Sequence, residues 1–206
     1  MNNMKRLIPI TFLFALLFSG CLKDDVDTLV LPPLRYALPI NDVVPADILS
    51  EIKKSMPIYE GETPPEIEGV YVVNPNELVI ASAEDLSPGI VISNDTIKFT
   101  NQNVKTNVIT FERKQRTENE FSDFVSLVGN GNNFTAYFNA DGTTTEGINY
   151  KTATVISGTM TANGIKDYYK AFIITEKDPD PKNVLFPAKA FRIFKDGNGL
   201  AENATW

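Results

Sequence analysis

The chain has 206 residues with 43% hydrophobic positions, one cysteine, no histidine and a formal net charge of −7. That length can bury a core without disulfides, while the missing imidazoles exclude Ser-His-Asp and Cys-His catalysis and the usual histidine ligands of zinc. The acidic balance, with no basic stripe, argues against nucleic acid as a partner, because phosphate backbones reward basic surfaces.

Lys5 and Arg6 precede an apolar run from Leu7 to Phe18 that only Thr11 interrupts. A spanning helix takes about 20 apolar residues, so the run fits an export signal better than a permanent span. Small residues follow at Ser19 and Gly20, directly before Cys21. Phe18-Ser19-Gly20-Cys21 resembles the lipobox of bacterial lipoproteins, with Phe18 where leucine is usual. The resemblance implies cleavage before Cys21, a diacylglyceryl (palmitate-type) group on its thiol, and a membrane as partner. Two acyl chains give the stable attachment that one cannot. Loss of the signal leaves 17 basic and 26 acidic residues, a net charge of −9.

Leu22-Lys23-Asp24-Asp25 follows. It resembles the signal that carries Bacteroidetes-type lipoproteins to the outer leaflet, which implies Lys23, Asp24 and Asp25 as a surface-export signal and an outer-membrane, cell-surface location. Proline at 32, 33 and 39 and the lack of any sustained period mark a tether.

The predicted helix opens at Pro45-Ala46-Asp47 and stops at Pro57. Ile48, Leu49 and Ile52 form its apolar face, with Lys53 and Lys54 at the end that favours cations. The chain thus divides into a signal over 1–20, a tether over 21–44 and one domain with a short leading helix over 45–206.

From Gly69 the period becomes two: Ile97-Phe99, Ile109-Phe111, Phe134-Ala136-Phe138, Ile156 to Met160, Tyr169-Ala171-Ile173 and Phe191-Ile193. Polar residues stand between them, as expected where one sheet face is buried. Asn163-Gly164 predicts a tight hairpin, and Gly129 to Asn132 predicts another turn. Asp141-Gly142 reads as a turn after a strand, and Asp196-Gly197 as the end of the last one. About eight or nine strands without crossover helices predict an all-β fold. The expected form is an antiparallel up-and-down meander closing into a barrel of about eight strands; a two-sheet sandwich is the alternative.

Met56-Pro57-Ile58-Tyr59-Glu60-Gly61, Pro64-Pro65, Ile67-Glu68-Gly69-Val70-Tyr71 and the closing stretch Phe191 to Glu202 resemble Bacteroidetes lipoproteins with a lipocalin-like domain. The resemblance implies a calycin-type barrel and no particular activity. Typical lipocalins carry Gly-X-Trp on the first strand, where this chain has Gly69-Val70-Tyr71.

Catalytic signals are sparse. Paired carboxylates facing a cleft could hydrolyse glycosides, but no pair is marked by spacing. Asp178-Pro179-Asp180 and Asp196-Gly197-Asn198-Gly199 are oxygen-rich, yet neither meets the EF-hand pattern, and turn chemistry explains both. Asp95-Thr96-Ile97 and Asp27-Thr28-Leu29 resemble an O-glycosylation acceptor pattern. No cofactor is implied. Phe99, Phe111, Phe134, Phe138 and Phe191 look inward on their strands and either fill the core or line a ligand cavity. The expected function is a non-enzymatic lipoprotein binding a small apolar or amphipathic ligand. The alternative is an interaction module that meets a protein or glycan on its outer face.

Overall fold

The computed structural model describes residues 35–206. The signal, Cys21, Lys23, Asp24, Asp25 and the Asp27 triplet lie outside the described residues.

The leading helix α1 is Ala46–Ser55, with Pro45 at its N-cap, Asp47 in the first turn and Lys53 and Lys54 in the last. Met56 still donates its N–H to the Ile52 carbonyl at 3.0 Å, then adopts an extended conformation before Pro57. Helix and stop match their sequence signals.

Twelve strands follow. The first four are β1 (Glu62–Thr63), β2 (Gly69–Val73), β3 (Asn76–Ala81) and β4 (Val91–Ile92). Then come β5 (Asp95–Asn103), β6 (Val108–Gln115), β7 (Glu118–Asn130) and β8 (Asn133–Thr144). The last are β9 (Asn149–Thr161), β10 (Gly164–Lys177), β11 (Phe191–Asp196) and β12 (Leu200–Asn203). Strands β5 to β10 form an antiparallel meander of consecutive hairpins. β10 then forks. Its first residues, Gly164 to Lys166, pair with β12, while Tyr169 to Ile173 pair with β11. β12 also pairs with β2, and β2 with β5, so eight strands close into a ring. The all-β barrel expected from the sequence is the observed fold; β11, β3 and β4 form a side branch.

The alternation explains the closure. Asp95, Ile97 and Phe99 are buried on β5, while Thr96 and Lys98 between them are only half-buried. Strands β8, β9 and β10 break the simple pattern because both faces are covered along part of their length. On β10, Tyr168 belongs to the barrel core, whereas Ala171 and Ile173 pack on the other side with Leu49 and Ile52 of α1. The Tyr169-Ala171-Ile173 alternation is therefore real, but it faces the helix.

Asp141-Gly142 does not make a turn. Both residues lie inside β8, and the chain reverses over 145–148. Gly142 is there for room: a Cβ at this position would stand 2.2 Å from Cζ of Tyr150. Gly142→Ala is expected to lower stability by about 1–3 kcal/mol through overpacking. A urea unfolding midpoint that does not move would refute this reading of the glycine.

Asp196-Gly197 ends β11 but not the last strand. β12 follows, and its one buried apolar residue, Ala201, is too little periodicity to read from sequence. The tether also ends earlier than Val44. Ala37 N–H donates to the Thr106 carbonyl at 3.0 Å, Leu38 N–H to Ser126 Oγ at 2.8 Å, and Tyr137 OH to the Leu38 carbonyl at 2.6 Å. With Val43 and Val44 buried, residues 37–44 form a strap on the barrel wall.

Candidate functional site

A carrier barrel needs an interior space, so the five phenylalanines come first. Phe99 and Phe111 have ring centroids 5.5 Å apart, Phe111 and Phe138 4.5 Å, and Tyr71 and Phe99 6.5 Å. Phe134 joins the same cluster. A void wide enough for water would leave its walls accessible, but Phe99, Phe111 and Phe134 are 0% exposed and Phe138 1%. These four rings fill the barrel. Phe191 is not among them: it lies in the cluster under α1 with Val44, Ile52 and Ile193. Its phase places it on the helix side of β11, and Phe194 takes the inner side with Phe172.

Both ends of this core are occupied. At one end Ile67 enters the cluster, held by its N–H to Gln102 Oε1 at 2.9 Å. Tyr71 donates its hydroxyl to the Ile67 carbonyl at 3.1 Å. Burial raises the Tyr71 hydroxyl to about 12. On the inner face beyond Lys170, Leu185 and Phe186 from the loop after β10 pack with Phe172, Phe194 and Leu78.

Between them lies a layer of buried charge. Arg113 Nε sits 2.7 Å from Asp95 Oδ1, and Arg113 Nη1 lies 3.2 Å from Glu120 Oε1 and 3.1 Å from Glu118 Oε2. Its Nη2 donates to Gln115 Oε1 at 2.8 Å. Lys170 Nζ donates to Asp95 Oδ2, and Tyr150 OH to Glu120 Oε1 at 3.3 Å. Asp95, Arg113, Glu120 and Lys170 are all buried. Burial by itself would raise Asp95, but Arg113 and Lys170 outweigh it and hold the carboxyl below its usual range. Burial and the neighbouring Arg113 lower Lys170 against the pull of Asp95. A carboxylate held ionised between two cations is a poor general acid. The layer clamps β5, β6, β7 and β10 together.

Sequence reasoning missed this layer, although its signal was present. Asp95 is in phase with Ile97 and Phe99, and Arg113 with Ile109 and Phe111. Asp95 drew notice only through the Asp95-Thr96-Ile97 triplet, whose threonine is half-buried on β5.

The oxygen-rich loops are held by their own donors. Asp180 accepts from the N–H groups of Val184 and Leu185 and from Lys177 Nζ, each at 2.9 Å. The Leu185 N–H, with Lys177 and Val184, lowers its carboxyl to about 2. Asp196 accepts from the N–H groups of Asn74 at 2.9 Å and Asn198 at 3.0 Å. Turn geometry accounts for both.

Open hollows lie on the outside. One of about 490 Å³ borders the strap, among Tyr36, Leu38, Phe124 and Tyr137. Its polar groups hold the strap: Ser126 and Tyr137 bond the Leu38 backbone, and Arg35 lies 3.9 Å over the Phe124 ring. Two more, of about 380 Å³ each, share Asp141 and Thr143 on β8 and lie side by side as a shallow groove across β6 to β10. Phe121 and Trp206 stand at its β6–β7 end, 51% and 40% exposed.

No known protein family, curated protein or solved structure matches this chain.

Proposed function

We propose that this chain is a non-enzymatic lipoprotein, anchored through a diacylated Cys21, that uses the outside of a filled barrel to engage a partner at the cell surface. One observation carries the choice between an interior ligand and an outer face: the Phe99, Phe111, Phe134 and Phe138 rings leave no accessible space among themselves. Small-molecule sites are typically pockets of about 300–1,000 Å³. The anchor rests on Lys5, Arg6, the apolar run and Phe18-Ser19-Gly20-Cys21. Surface export rests on Lys23, Asp24 and Asp25, and kinship with lipocalin-like lipoproteins on the segments quoted above.

Two measurements test the reading. Full-length protein extracted from membranes, compared by native and denaturing mass spectrometry, should show the same mass, that of the acylated chain. A molecule that leaves only on denaturation would return the function to ligand carriage. Cys21→Ala should abolish fatty-acid labelling and membrane attachment together; retained labelling would end the lipoprotein assignment.

A further inference from the structure

Resting on the outer-face reading, we propose that the two adjoining hollows across β6 to β10 together form a groove that binds a neutral oligosaccharide laid across the strands. Adjacent strands are about 4.8 Å apart, so four steps give a path of about 19 Å, long enough for several sugar units in a row.

The chemistry of the groove fits that occupant. Phe121 offers an exposed ring on β7, and Trp206 forms the neighbouring wall. The indole is pinned by Lys114 Nζ at 4.0 Å and Lys98 Nζ at 4.8 Å from its centroid. Aromatic faces stack on the C–H faces of sugar rings, and planar amides and carboxylates bond pairs of hydroxyls. Asn119, Asp141, Asn149 and Asp178 supply such groups along the path. Asn149 is already oriented: its Oδ1 accepts from Thr143 Oγ1 and its Nδ2 donates to Asp178 Oδ2, both at 3.0 Å. Ligand hydroxyls would therefore meet fixed partners.

Other occupants fit less well. Lys114 and Lys151 alternate with Glu112, Asp141 and Glu176 around the groove, so a polyanion meets no consistent field. A peptide adding as a strand needs a free sheet edge, whereas β6 to β9 are each hydrogen-bonded to a neighbour on both sides.

Trp206 is the single tryptophan of the chain and lines the groove, so its fluorescence responds to binding there, and the Phe121 and Asn149 variants assign the response to this groove. The full-length lipoprotein in detergent micelles would be titrated with cellotetraose, maltotetraose and mannotetraose, each beside its monosaccharide. At least one tetrasaccharide should shift the Trp206 emission saturably, and bind at least ten-fold more tightly than its monomer. Phe121→Ala and Asn149→Ala should each weaken it ten-fold or more, with unfolding midpoints showing that the variants fold. No response to any of the three, or a response that both variants retain, overturns the proposal. A shift produced only by peptides would also overturn it, yet would leave the outer-face reading standing. That broader reading fails if mass spectrometry finds a molecule held inside.

Discussion

Asp95→Asn is expected to destabilise the fold by about 3–5 kcal/mol, the loss typical of a buried ion pair broken on one side. Asp95 faces both Arg113 and Lys170 inside the barrel. Without its charge, Arg113 keeps Glu120 and Glu118, but Lys170 loses the hydrogen bond and ion pair it makes with Asp95. The pH dependence follows from the shifts. Asp95 has a folded pKa below its unfolded one, so its contribution is present above the ordinary carboxylate range. It is lost as pH falls through the lower folded value. Asp95→Asn removes that part of the acid limb. Lys170 is also lowered, so the unfolded chain binds more protons between its two pKa values, and stability rises with pH across that window. The deficit of Asp95→Asn should therefore shrink toward alkaline pH, as the orphaned lysine sheds its proton. Urea titrations from pH 3 to pH 10 would read both limbs. Adding Lys170→Met should recover part of the loss, since an apolar chain among Phe172 and Phe194 strands no charge. A double variant no more stable than the single would show that Lys170 and Asp95 are not coupled.

The fold was largely legible in the sequence because strand alternation and turn residues are local signals. Ala46–Ser55 lies between two prolines with its charges in order, and the meander from β5 to β10 follows the period of two. Legibility failed where a residue answers to something distant. Gly142 looks like a turn glycine until Tyr150 is seen lying against it from the next strand. β12 is too short to show a period, and it closes the ring through pairing with β10 and β2. Phe191 and Ile193 carry the right period, but alternation cannot say which side of a doubly covered strand is the barrel interior. The charged layer was lost to a related assumption, that Lys, Arg, Asp and Glu on strands face water. Their phase says otherwise for Asp95 and Arg113, and only the three-dimensional pairing with Glu120 and Lys170 makes that phase affordable. Of the candidate residues, the sequence pointed to Phe99, Phe111, Phe134 and Phe138 as inward-facing, and the structure places all four in the barrel core. The groove on the outside combines side chains from β6 through β10 and the chain's last residue, a set that no local motif unites.

Phe111→Ala should turn the filled barrel into a hollow one. Its ring packs between Phe99 and Phe138, at 5.5 and 4.5 Å. Truncation of a buried phenylalanine typically costs about 3–5 kcal/mol, part lost transfer energy and part cavity. A domain of ordinary stability, about 5–15 kcal/mol, can survive that loss. The new space would be lined by Phe99, Phe138 and Ile109, so it should stay dry and admit a small apolar molecule. Benzene at about a hundred times its Kd would then restore roughly 2.7 kcal/mol. The comparison with the unaltered chain matters most. Its melting temperature should not respond to benzene, because a filled core offers nothing to bind. If the unaltered chain were stabilised as well, accessible space would exist inside and the case for the outer face would lose its main support. A response confined to Phe111→Ala would show that the side chains filling the barrel keep small apolar molecules out, its strands being able to enclose one once a ring is removed.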